Sequence, residues 1–415
     1  MFPYRERLRQ PRWPVRQQAT EETVEIFQEN DPEVRSARAL TADLVRWRRQ
    51  FHSHPELGFE EVETQRFVLD TLRDMGLDPR PIARTGVVVD IGTAPFVLVR
   101  ADMDALPVQE EGDLAFRSQN QGIMHACGHD GHMAIALGTA AVLQSMTRAT
   151  TPGVRVIFQP SEERHPGGAP SMIEEGVLEG VTRVTGCHIR PTVPLGQVGA
   201  VTGAQSANSD RFSATVIGRG GHGSAPQNAI DPVPVVAEIV LALQTLVSRR
   251  IAPSQQAVVT VGSLHAGTAS NVIPDTATLH ATVRTFESDV QALLSEAIPR
   301  IVEGIAQTHG ARAEVEYVRG YPSVVNSARE VALFQDAART VLGPEGIYPL
   351  NPTMGGEDFA FFLQKRPGVY WILGAQIPGR PGGSHSPRFA FNEDALPIGV
   401  AVMVKTALAL AAEPL

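Results

Sequence analysis

The sequence predicts an α/β protein with a mostly parallel sheet and a smaller α+β domain inserted into the chain. Up to about residue 200, short apolar, β-branched strands alternate with helices, which is typical of a parallel sheet covered on both faces. The order then becomes β-α-β-β-α-β, the order of a split βαβ, or ferredoxin-like, unit. A chain of 415 residues is long enough for two such domains.

The larger domain begins with a predicted helix over 41–51, for which Thr41 or Asp43 is the expected N-cap. Hydrophobic patterning then predicts, in chain order, strands 86–91 and 96–100, helix 130–146, strands 154–158 and 183–187, and a last helix over 394–412. In sheets of this kind ligands collect beyond the carboxyl ends of the strands.

The inserted domain is expected to contain strand 211–217, helix 231–249, strands 256–264 and 276–286, helix 289–308 and strand 313–318. Asp231 is the expected cap of its first helix, with Pro232 at the first helical position. The first domain resumes near Tyr321. We therefore divide the chain into an N-terminal arm (1–40), a discontinuous larger domain (41–200 and 311–415) and the inserted domain (201–310).

The composition excludes several classes of protein. A hydrophobic content of 43% and a charged content of 20% are those of a soluble globular chain. The net charge of −9 gives no general attraction to nucleic acid or to anionic membranes. We expect no membrane span, because no apolar run approaches about 20 residues. Basic residues within 1–18 are followed by an acidic stretch, 21–33, which favours an arm packed on the body over a transit peptide.

Cysteine usage indicates a reducing compartment. The chain has two cysteines, Cys127 and Cys187, and no apolar secretion signal near its N-terminus. We therefore expect a cytoplasmic protein with two free thiols rather than a structural disulfide.

Potential metal ligands follow several of the predicted strands. Asp102 and Asp104 follow one strand, Glu162 and Glu163 a second, and His188 a third. Because the carboxyl ends of parallel strands meet at one edge of a sheet, we expect these side chains at one site. With cysteine and histidine nearby they would hold two metal ions and leave one carboxylate to move protons.

Cys127 and His129 immediately precede a predicted helix, whose N-terminal amides stabilise a thiolate. The adjacent glutamates can divide two tasks, since one carboxylate can bind metal while the other deprotonates water. Asp104 is a candidate for orienting one of the ligands.

The inserted domain carries polar groups suited to binding a substrate. His222 lies between glycines, where the backbone can approach a ligand closely. Asn271 and Arg284 supply an amide and a guanidinium, which can grip a carboxylate. We expect a small-molecule substrate that bears a carboxylate.

These residues lie in ordered motifs that resemble the M20 family of metallopeptidases and amidohydrolases from about residue 42 to the end. The resemblance rests on Phe-His-Ser-His-Pro-Glu-Leu-Gly-Phe-Glu at 51–60, Arg-Ala-Asp-Met-Asp-Ala-Leu-Pro at 100–107, His-Ala-Cys-Gly-His-Asp at 125–130, Gln-Pro-Ser-Glu-Glu at 159–163, Gly-His-Gly-Ser-Ala-Pro at 221–226, Asn-Val-Ile-Pro at 271–274, Gly-Glu-Asp-Phe at 356–359 and His-Ser-Pro at 385–387. The sequence is most similar to the aminoacylase-like branch, which includes hippurate hydrolases, N-acetyl-diaminopimelate deacetylases and plant auxin-conjugate hydrolases.

The resemblance implies a metal centre and a set of roles around it. The implied ligands of one or two divalent ions are Cys127, His129, Glu163, His188 and His385. This mixed donor set suits Zn, Mn, Co or Fe, and Mn or Zn is favoured. Glu162 would be the general base and acid, with Asp104 in the catalytic set.

The resemblance also implies that the inserted domain is a lid and a dimer surface. His222 would reach into the partner subunit's site and help to stabilise an oxyanion. The implied substrate contacts are Asn271, Arg284 and Gly356.

Two arginines depart from the usual pattern of the family. Arg164 follows the glutamate pair, where relatives commonly have glycines, and Arg190 stands two residues after His188 in place of an aromatic residue. Either they bind an additional acidic or electron-rich group of the substrate, or they pair with Glu357 or Asp358.

The sequence thus predicts a homodimeric, metal-dependent hydrolase that cleaves the amide bond of N-acyl amino acids or small peptide-like conjugates. Glu162 would deprotonate a metal-activated water and return the proton to the leaving amine. A closely related alternative is a hydrolytic deaminase of an aromatic amino acid-like substrate. An alternative from another class is a non-catalytic metal-binding scaffold.

Overall fold

The computed structural model describes residues 31–146, 152–380 and 383–414. Its helices are α1 (Pro32–Ala39), α2 (Thr41–Ser53), α3 (Val62–Asp74), α4 (His129–Met146), α5 (Ala169–Glu174), α6 (Pro232–Arg250), α7 (Ser288–Thr308), α8 (Ala328–Leu342), α9 (Ala360–Leu363) and α10 (Ala395–Ala412). Its strands are β1 (Arg80–Ile82), β2 (Gly86–Ile91), β3 (Thr93–Asp102), β4 (Pro152–Gln159), β5 (Val181–Arg190), β6 (Val198–Gly199), β7 (Gly203–Ser206), β8 (Asp210–Ile217), β9 (Gly221–His222), β10 (Ala257–Ala266), β11 (Val272–Ile273), β12 (Thr276–Thr285), β13 (Arg312–Val318), β14 (Val324–Asn326) and β15 (Gly368–Gly374).

The larger sheet has seven strands in the spatial order β1-β2-β4-β3-β5-β15-β6. Its four central strands, β4, β3, β5 and β15, run parallel, as predicted. The outer pairings are antiparallel: β1 with β2, β2 with β4, and β6 with β15. Since Gly92 alone separates β2 from β3, there is no room for the long crossover that a parallel orientation needs. The sheet is therefore mixed, with a parallel centre.

The central strands are buried on both faces. Val97 and Val99 of β3 lie in the core that includes α2, α4, α8 and α10, whereas Leu98 lies in the core with α5 and α9. Because successive residues of a strand point to opposite faces, a sheet covered on both sides needs apolar residues at every position. This burial accounts for the uninterrupted apolar run in the sequence.

The smaller sheet has the order β10-β12-β8-β13, and every neighbouring pair is antiparallel. Helices α6 and α7 pack against it around a separate apolar core. The predicted ferredoxin-like order is confirmed, and Asp231 caps α6 by accepting a hydrogen bond from Val233 N at 2.9 Å. Because β13 lies beyond residue 310, this sheet extends past the boundary expected there. The division into domains stays a prediction.

The predicted N-terminal arm is described from residue 31 onward, and the rest of it lies outside the described residues. Helix α1 packs against α10, and Lys405 Nζ lies 2.7 Å from Asp31 Oδ2. The caps predicted for the next helix are wrong, because Leu40 is the N-cap of α2 and Thr41 Oγ1 donates instead to Arg38 O. Helix α2 follows α1 so closely that a carbonyl group in the last turn of α1 accepts a hydrogen bond from this hydroxyl.

By length and composition alone, two described helices, α6 and α10, could cross a membrane. The expectation that no apolar stretch approaches the length of a membrane span is therefore wrong. The most apolar window of α10 is 72% buried, since this helix packs against α4, α8 and the larger sheet. The corresponding window of α6 is 33% buried. The composition of α10 therefore reflects its place in the core.

Candidate metal centre

The five predicted ligands converge beyond the carboxyl ends of the parallel strands. Cys127 and His129 lie at the start of α4, Glu163 follows β4, and His188 lies near the end of β5. His385 lies on the loop before α10. The parallel strands thus bring together side chains that are far apart in the sequence.

The donor atoms of these residues lie close to one another. Those of Cys127, His129 and Glu163 are all within 4.8 Å of one another. Cys127 Sγ is 3.9 Å from His188 Nε2, and Glu163 Oε1 is 3.1 Å from His385 Nε2. One sulfur, one carboxylate and three imidazoles therefore share one site.

This set of donors fits divalent metal ions. Glu163 Oε1 is buried, and its contact with His385 Nε2 at 3.1 Å lacks the geometry of a hydrogen bond. Burial raises the pKa of the Cys127 thiol to about 12, so the thiolate that binds metals needs a cation beside it. The two cysteines are free thiols, as predicted.

His129 is oriented by the backbone of Asp104. Its Nδ1 donates to Asp104 O at 2.8 Å, so Nε2 of the neutral ring keeps a lone pair for a metal ion. Burial disfavours charge on this ring, but the Asp102 carboxylate and the Asp104 hydrogen bond outweigh burial and raise the pKa of His129 well above its usual value.

Buried carboxylates hold the backbone of the segment that carries the two glutamates. Asp104 accepts hydrogen bonds from the backbone N–H groups of Glu162 and Glu163, each at 2.9 Å. Glu61 accepts one from Ser161 N at 2.8 Å. Ser161 has a φ of 53°, in the left-handed region that residues other than glycine rarely adopt. These hydrogen bonds therefore stabilise a strained backbone.

Glu162 is buried among other acids. One of its carboxylate oxygens lies within 4.8 Å of one oxygen of Glu357 and of one oxygen of Asp358. Burial is the largest cause that raises the pKa of Glu162 well above its usual range, and the carboxylates of Glu357, Glu163 and Asp358 add to it. A raised pKa suits a carboxylate that takes up and releases a proton near neutral pH.

Arg100 balances this acidic cluster. Its guanidinium donates to Asp102 Oδ2 at 2.6 Å, to Glu357 Oε1 at 3.0 Å and to Asp358 Oδ1 at 2.7 Å. Arg100 is the arginine that pairs with Glu357 and Asp358. Neither Arg164 nor Arg190 makes an ion pair with these acids among the described residues, so the alternative in which they do is not what the structure shows.

Three of the predicted substrate contacts lie beside the larger sheet. Arg190 is half-buried and projects from the same face of β5 as His188, because residues two apart on a strand share a face. Arg164 is exposed, and neither arginine makes a side-chain hydrogen bond or ion pair among the described residues. Gly356 packs so closely that an added Cβ would lie 2.8 Å from Ser209 Cβ.

The remaining predicted contacts lie on the smaller unit. His222 and Asn271 are exposed near the β9–β11 ribbon, and neither hydrogen-bonds to a predicted ligand within the described chain. Ser224 N donates to His222 Nδ1 at 3.1 Å, so the neutral ring carries its proton on Nε2. Arg284, on β12, is half-buried and donates to Asp210 O at 3.2 Å.

Sequence reasoning missed several residues that support the site. His132 Nδ1 lies 2.6 Å from Asp102 Oδ1, and its Nε2 accepts a hydrogen bond from Ile189 N at 2.8 Å, so both ring nitrogens are occupied. Glu61 and Arg100 were also missed. Of these residues, only Arg100 could have been recognised from the sequence. It lies in an apolar strand, where a buried cation needs acidic partners.

This arrangement defines a class of protein. A donor set that fits metal ions lies at the edge of an α/β sheet where ligands bind, and a buried carboxylate with a raised pKa lies beside it. The fold and the site therefore place the chain among the metal-dependent hydrolases.

Comparison with known proteins gives the family. Residues 98–409 match peptidase family M20/M25/M40. The chain is 39% identical to the N-acetylcysteine deacetylase of Bacillus subtilis, over 87% of this chain and 95% of that protein. It is also 39% identical to the IAA-amino acid hydrolase ILR1-like 2 of Arabidopsis thaliana, over 88% of this chain and 84% of that protein. The chain belongs to the M20 family, as its motifs predicted.

A solved structure of the family agrees with this assignment. The YXEP protein of Bacillus subtilis, a dinuclear metal binding peptidase, superposes with a TM-score of 0.77 at 34% identity, over 90% of this chain and 99% of that chain. The protein is thus an enzyme of an amidohydrolase family, and its fold suits divalent metal ions.

Proposed function

We propose that this enzyme hydrolyses the amide C–N bond of N-acyl amino acids or small peptide-like conjugates. The observation that carries the proposal is the glutamate pair: Glu163 lies among the metal donors, and Glu162 is buried beside it with a raised pKa. Relatives that are named a deacetylase and an amino acid hydrolase support this reaction class.

Bound metal ions would supply Lewis-acid activation of water and of the substrate carbonyl. Glu162 takes a proton from the attacking water and passes it to the leaving amine, so that the acyl carbon gains a hydroxyl and the C–N bond breaks. Asp104 keeps Glu162 in place during both proton transfers, because it accepts hydrogen bonds from the backbone N–H groups on both sides of the Glu162 Cα.

The smaller unit binds the rest of the substrate. Asn271 and Arg284 hold its carboxylate. Gly356, beside the larger sheet, contacts the substrate through its backbone. His222 stabilises the oxyanion by donating from Nε2, the nitrogen that is left protonated when Nδ1 accepts from Ser224.

We propose that the enzyme is a homodimer in which His222 acts in the partner's site. The two edges of the smaller sheet support this arrangement. Arg312, Glu314 and Glu316 are exposed on β13, and such charges discourage the addition of a further strand. Strand β10 has no Lys, Arg, Asp or Glu, and Leu241 on the neighbouring α6 is 71% exposed. The β10 edge and this side of α6 are the surface that we assign to the second copy.

We propose Mn or Zn as the native metal and the cytoplasm as the location. A sulfur, imidazole and carboxylate donor set suits these metals, with Co or Fe as the alternatives. Free thiols suit a reducing compartment. A net charge of −9 supports the absence of nucleic acid and of anionic membranes among the partners.

We also propose that Arg164 and Arg190 favour substrates with an additional acidic group. Neither cation makes a side-chain hydrogen bond or ion pair among the described residues, where Arg100 is the partner of the nearby acids. For Arg190→Gln, kcat/KM should fall about 10-fold or more on an N-succinyl amino acid, since a charged hydrogen bond is lost. It should change less than about threefold on the matching N-acetyl compound. Equal losses on both would contradict selection by charge.

The reaction is tested by identifying the products. Protein loaded with Mn, Co or Zn is incubated with N-acyl amino acids, dipeptides, aryl amides and aminobenzoates, and the products are measured by mass spectrometry. A carboxylic acid released together with a free amino acid is the expected result. Ammonia with a hydroxylated aromatic product would establish a deaminase instead, and metal loading without turnover would favour a scaffold.

The role of Glu162 is tested by Glu162→Gln. This variant should keep its metal content and lose turnover by about 100- to 10,000-fold, because the side chain keeps its size but can no longer accept the proton. Activity near that of the wild type would remove Glu162 from the role of base.

A further inference from the structure

Tyr321 lies where the chain returns from the smaller sheet to the larger one. Strand β13 ends at Val318 and β14 begins at Val324, and Tyr321 lies between them with 5% of its surface exposed. Its hydroxyl donates to the backbone carbonyl of Glu162 at 2.7 Å. This residue of the returning connection therefore touches the segment that carries both glutamates.

The outgoing and returning connections are joined at this point. Ser209, directly before β8, donates from its N–H to Tyr321 O at 3.0 Å, and Tyr321 N donates to Ser209 Oγ at 3.1 Å. A rotation of the smaller sheet against the larger one would act on both connections. It would therefore move or strain Tyr321.

The Tyr321 ring also packs on the end of the glutamate segment. Its centroid lies 4.0 Å from that of His165 and 6.1 Å from that of Phe361, which meets it nearly edge-on. Tyr321 therefore holds this segment at two points, through the Glu162 carbonyl and through the His165 imidazole.

We propose that Tyr321 is a positioning residue that couples the two connections to Glu162. The inference rests on the proposed role of Glu162 as the base. Glu61 and Asp104 hold the N–H groups of 161–163, whereas Tyr321 is the one hydrogen-bond donor to the Glu162 carbonyl among the described residues. A shift of the connections thus changes the orientation of the Glu162 peptide group.

Kinetics of Tyr321→Phe test this coupling, because the substitution removes the hydroxyl and keeps the ring. We expect kcat to fall about 3- to 10-fold, the loss of one hydrogen bond, with KM within about twofold and metal content unchanged. Tyr317→Phe is the matched control, since the Tyr317 hydroxyl donates to Asp210 Oδ2 at 2.8 Å and does not contact Glu162. Equal kcat losses in the two variants would overturn the proposal.

A double-mutant cycle separates positioning of the base from a general structural effect. In a Glu162→Asp background, where the carboxylate is already displaced, Tyr321→Phe should lower kcat by less than it does alone. A full and additive loss in that background would show that Tyr321 does not act through Glu162.

Hydrogen exchange measured by mass spectrometry tests the same contact without any substrate. Tyr321→Phe should raise amide exchange in peptides that cover 159–165, and Tyr317→Phe should not. Unchanged exchange in this segment would overturn positioning by Tyr321. If the wild type hydrolyses no amide, the proposed function fails, while the exchange result still decides whether Tyr321 restrains the segment.

Discussion

The two groups of residues that we assign to catalysis differ in burial and in how the chain holds them. At the larger sheet, Asp104, His129 and Glu162 are buried, and hydrogen bonds within one chain fix their backbone or their rings. On the smaller unit, His222 and Asn271 are exposed. The fold therefore holds His129 and Glu162 in place, whereas the exposed groups that we propose to bind the substrate would need movement or a second copy of the chain to meet them.

Loss of the Asp104 carboxylate should affect metal binding as well as turnover, because this carboxylate holds the backbone of both glutamates. In Asp104→Asn one of the two oxygens that accept from the Glu162 and Glu163 N–H groups becomes a donor. We expect a fall of about 10- to 100-fold in metal affinity and in turnover, as for other groups that orient ligands. Metal titration and kcat measure it.

Asp70→Asn, at an exposed acid on α3, is the control for this substitution. Wild-type metal affinity in Asp104→Asn would show that the glutamate segment holds its geometry without the carboxylate.

His222→Ala tests the exposed residues on the smaller unit. Turnover should fall about 100-fold through loss of an oxyanion donor, while metal content and Tm stay unchanged because this side chain supports no core contact. Mixing it with Glu162→Gln should restore part of the activity through hybrid dimers. No recovery in a verified heterodimer would place the action of His222 within its own chain.

Ser224→Ala sharpens the same test. It removes the hydroxyl beside His222 Nδ1 and leaves the backbone N–H donor in place. We expect a loss in kcat well below that of His222→Ala. A loss of equal size would mean that the hydroxyl has a role of its own.

The smallest expected effect concerns stability and pH. Burial raises the pKa of Glu61 to about 7, with the nearby Asp104 adding to burial and the Thr85 hydrogen bond opposing it. The folded protein keeps a proton on Glu61 between about pH 4.5 and 7 that the unfolded chain has lost. The free energy of unfolding should therefore fall as the pH rises through this window, and Glu61→Gln should flatten that fall.

Denaturant unfolding at pH 5 and pH 8 measures this difference. Glu174→Gln, at an exposed glutamate, is the control and should leave the pH dependence as it is. An unchanged dependence in Glu61→Gln would show that this carboxyl is ionised throughout the window.

Hydrophobic patterning predicted eight of the fifteen strands that the structure describes and missed β15 in the parallel centre of the larger sheet. The set of metal donors was implied by the resemblance of the motifs and stays a prediction. The predicted strands lie close to their observed bounds. Four of the five predicted ligands lie at strand ends or at a helix start, and His385 lies on a loop. Helix α3 was not predicted, because it buries only a narrow stripe: Thr64, Val68 and Leu72. The antiparallel direction of β2 was missed because it depends on the order of the strands in the sheet, which hydrophobic patterning does not report.

The contacts that support the site were not predictable for a similar reason. Arg100 and Glu357 are 257 positions apart in the sequence, Ser161 and Glu61 are 100 apart, and Tyr321 and Glu162 are 159 apart. The sequence pattern shows which residue types lie at a strand end. It does not show which distant backbone group will meet them.

Because Ser209 and Tyr321 hydrogen-bond to each other, the chain leaves and re-enters the body around the larger sheet at a single point. The chain between these two residues can be treated as one loop whose ends are held together. The free-energy cost of closing a flexible loop rises by only about 0.6 kcal/mol for each doubling of its length. A change in the length of the chain between the two residues should therefore cost the site at the larger sheet little, as long as the Ser209–Tyr321 hydrogen bonds are kept.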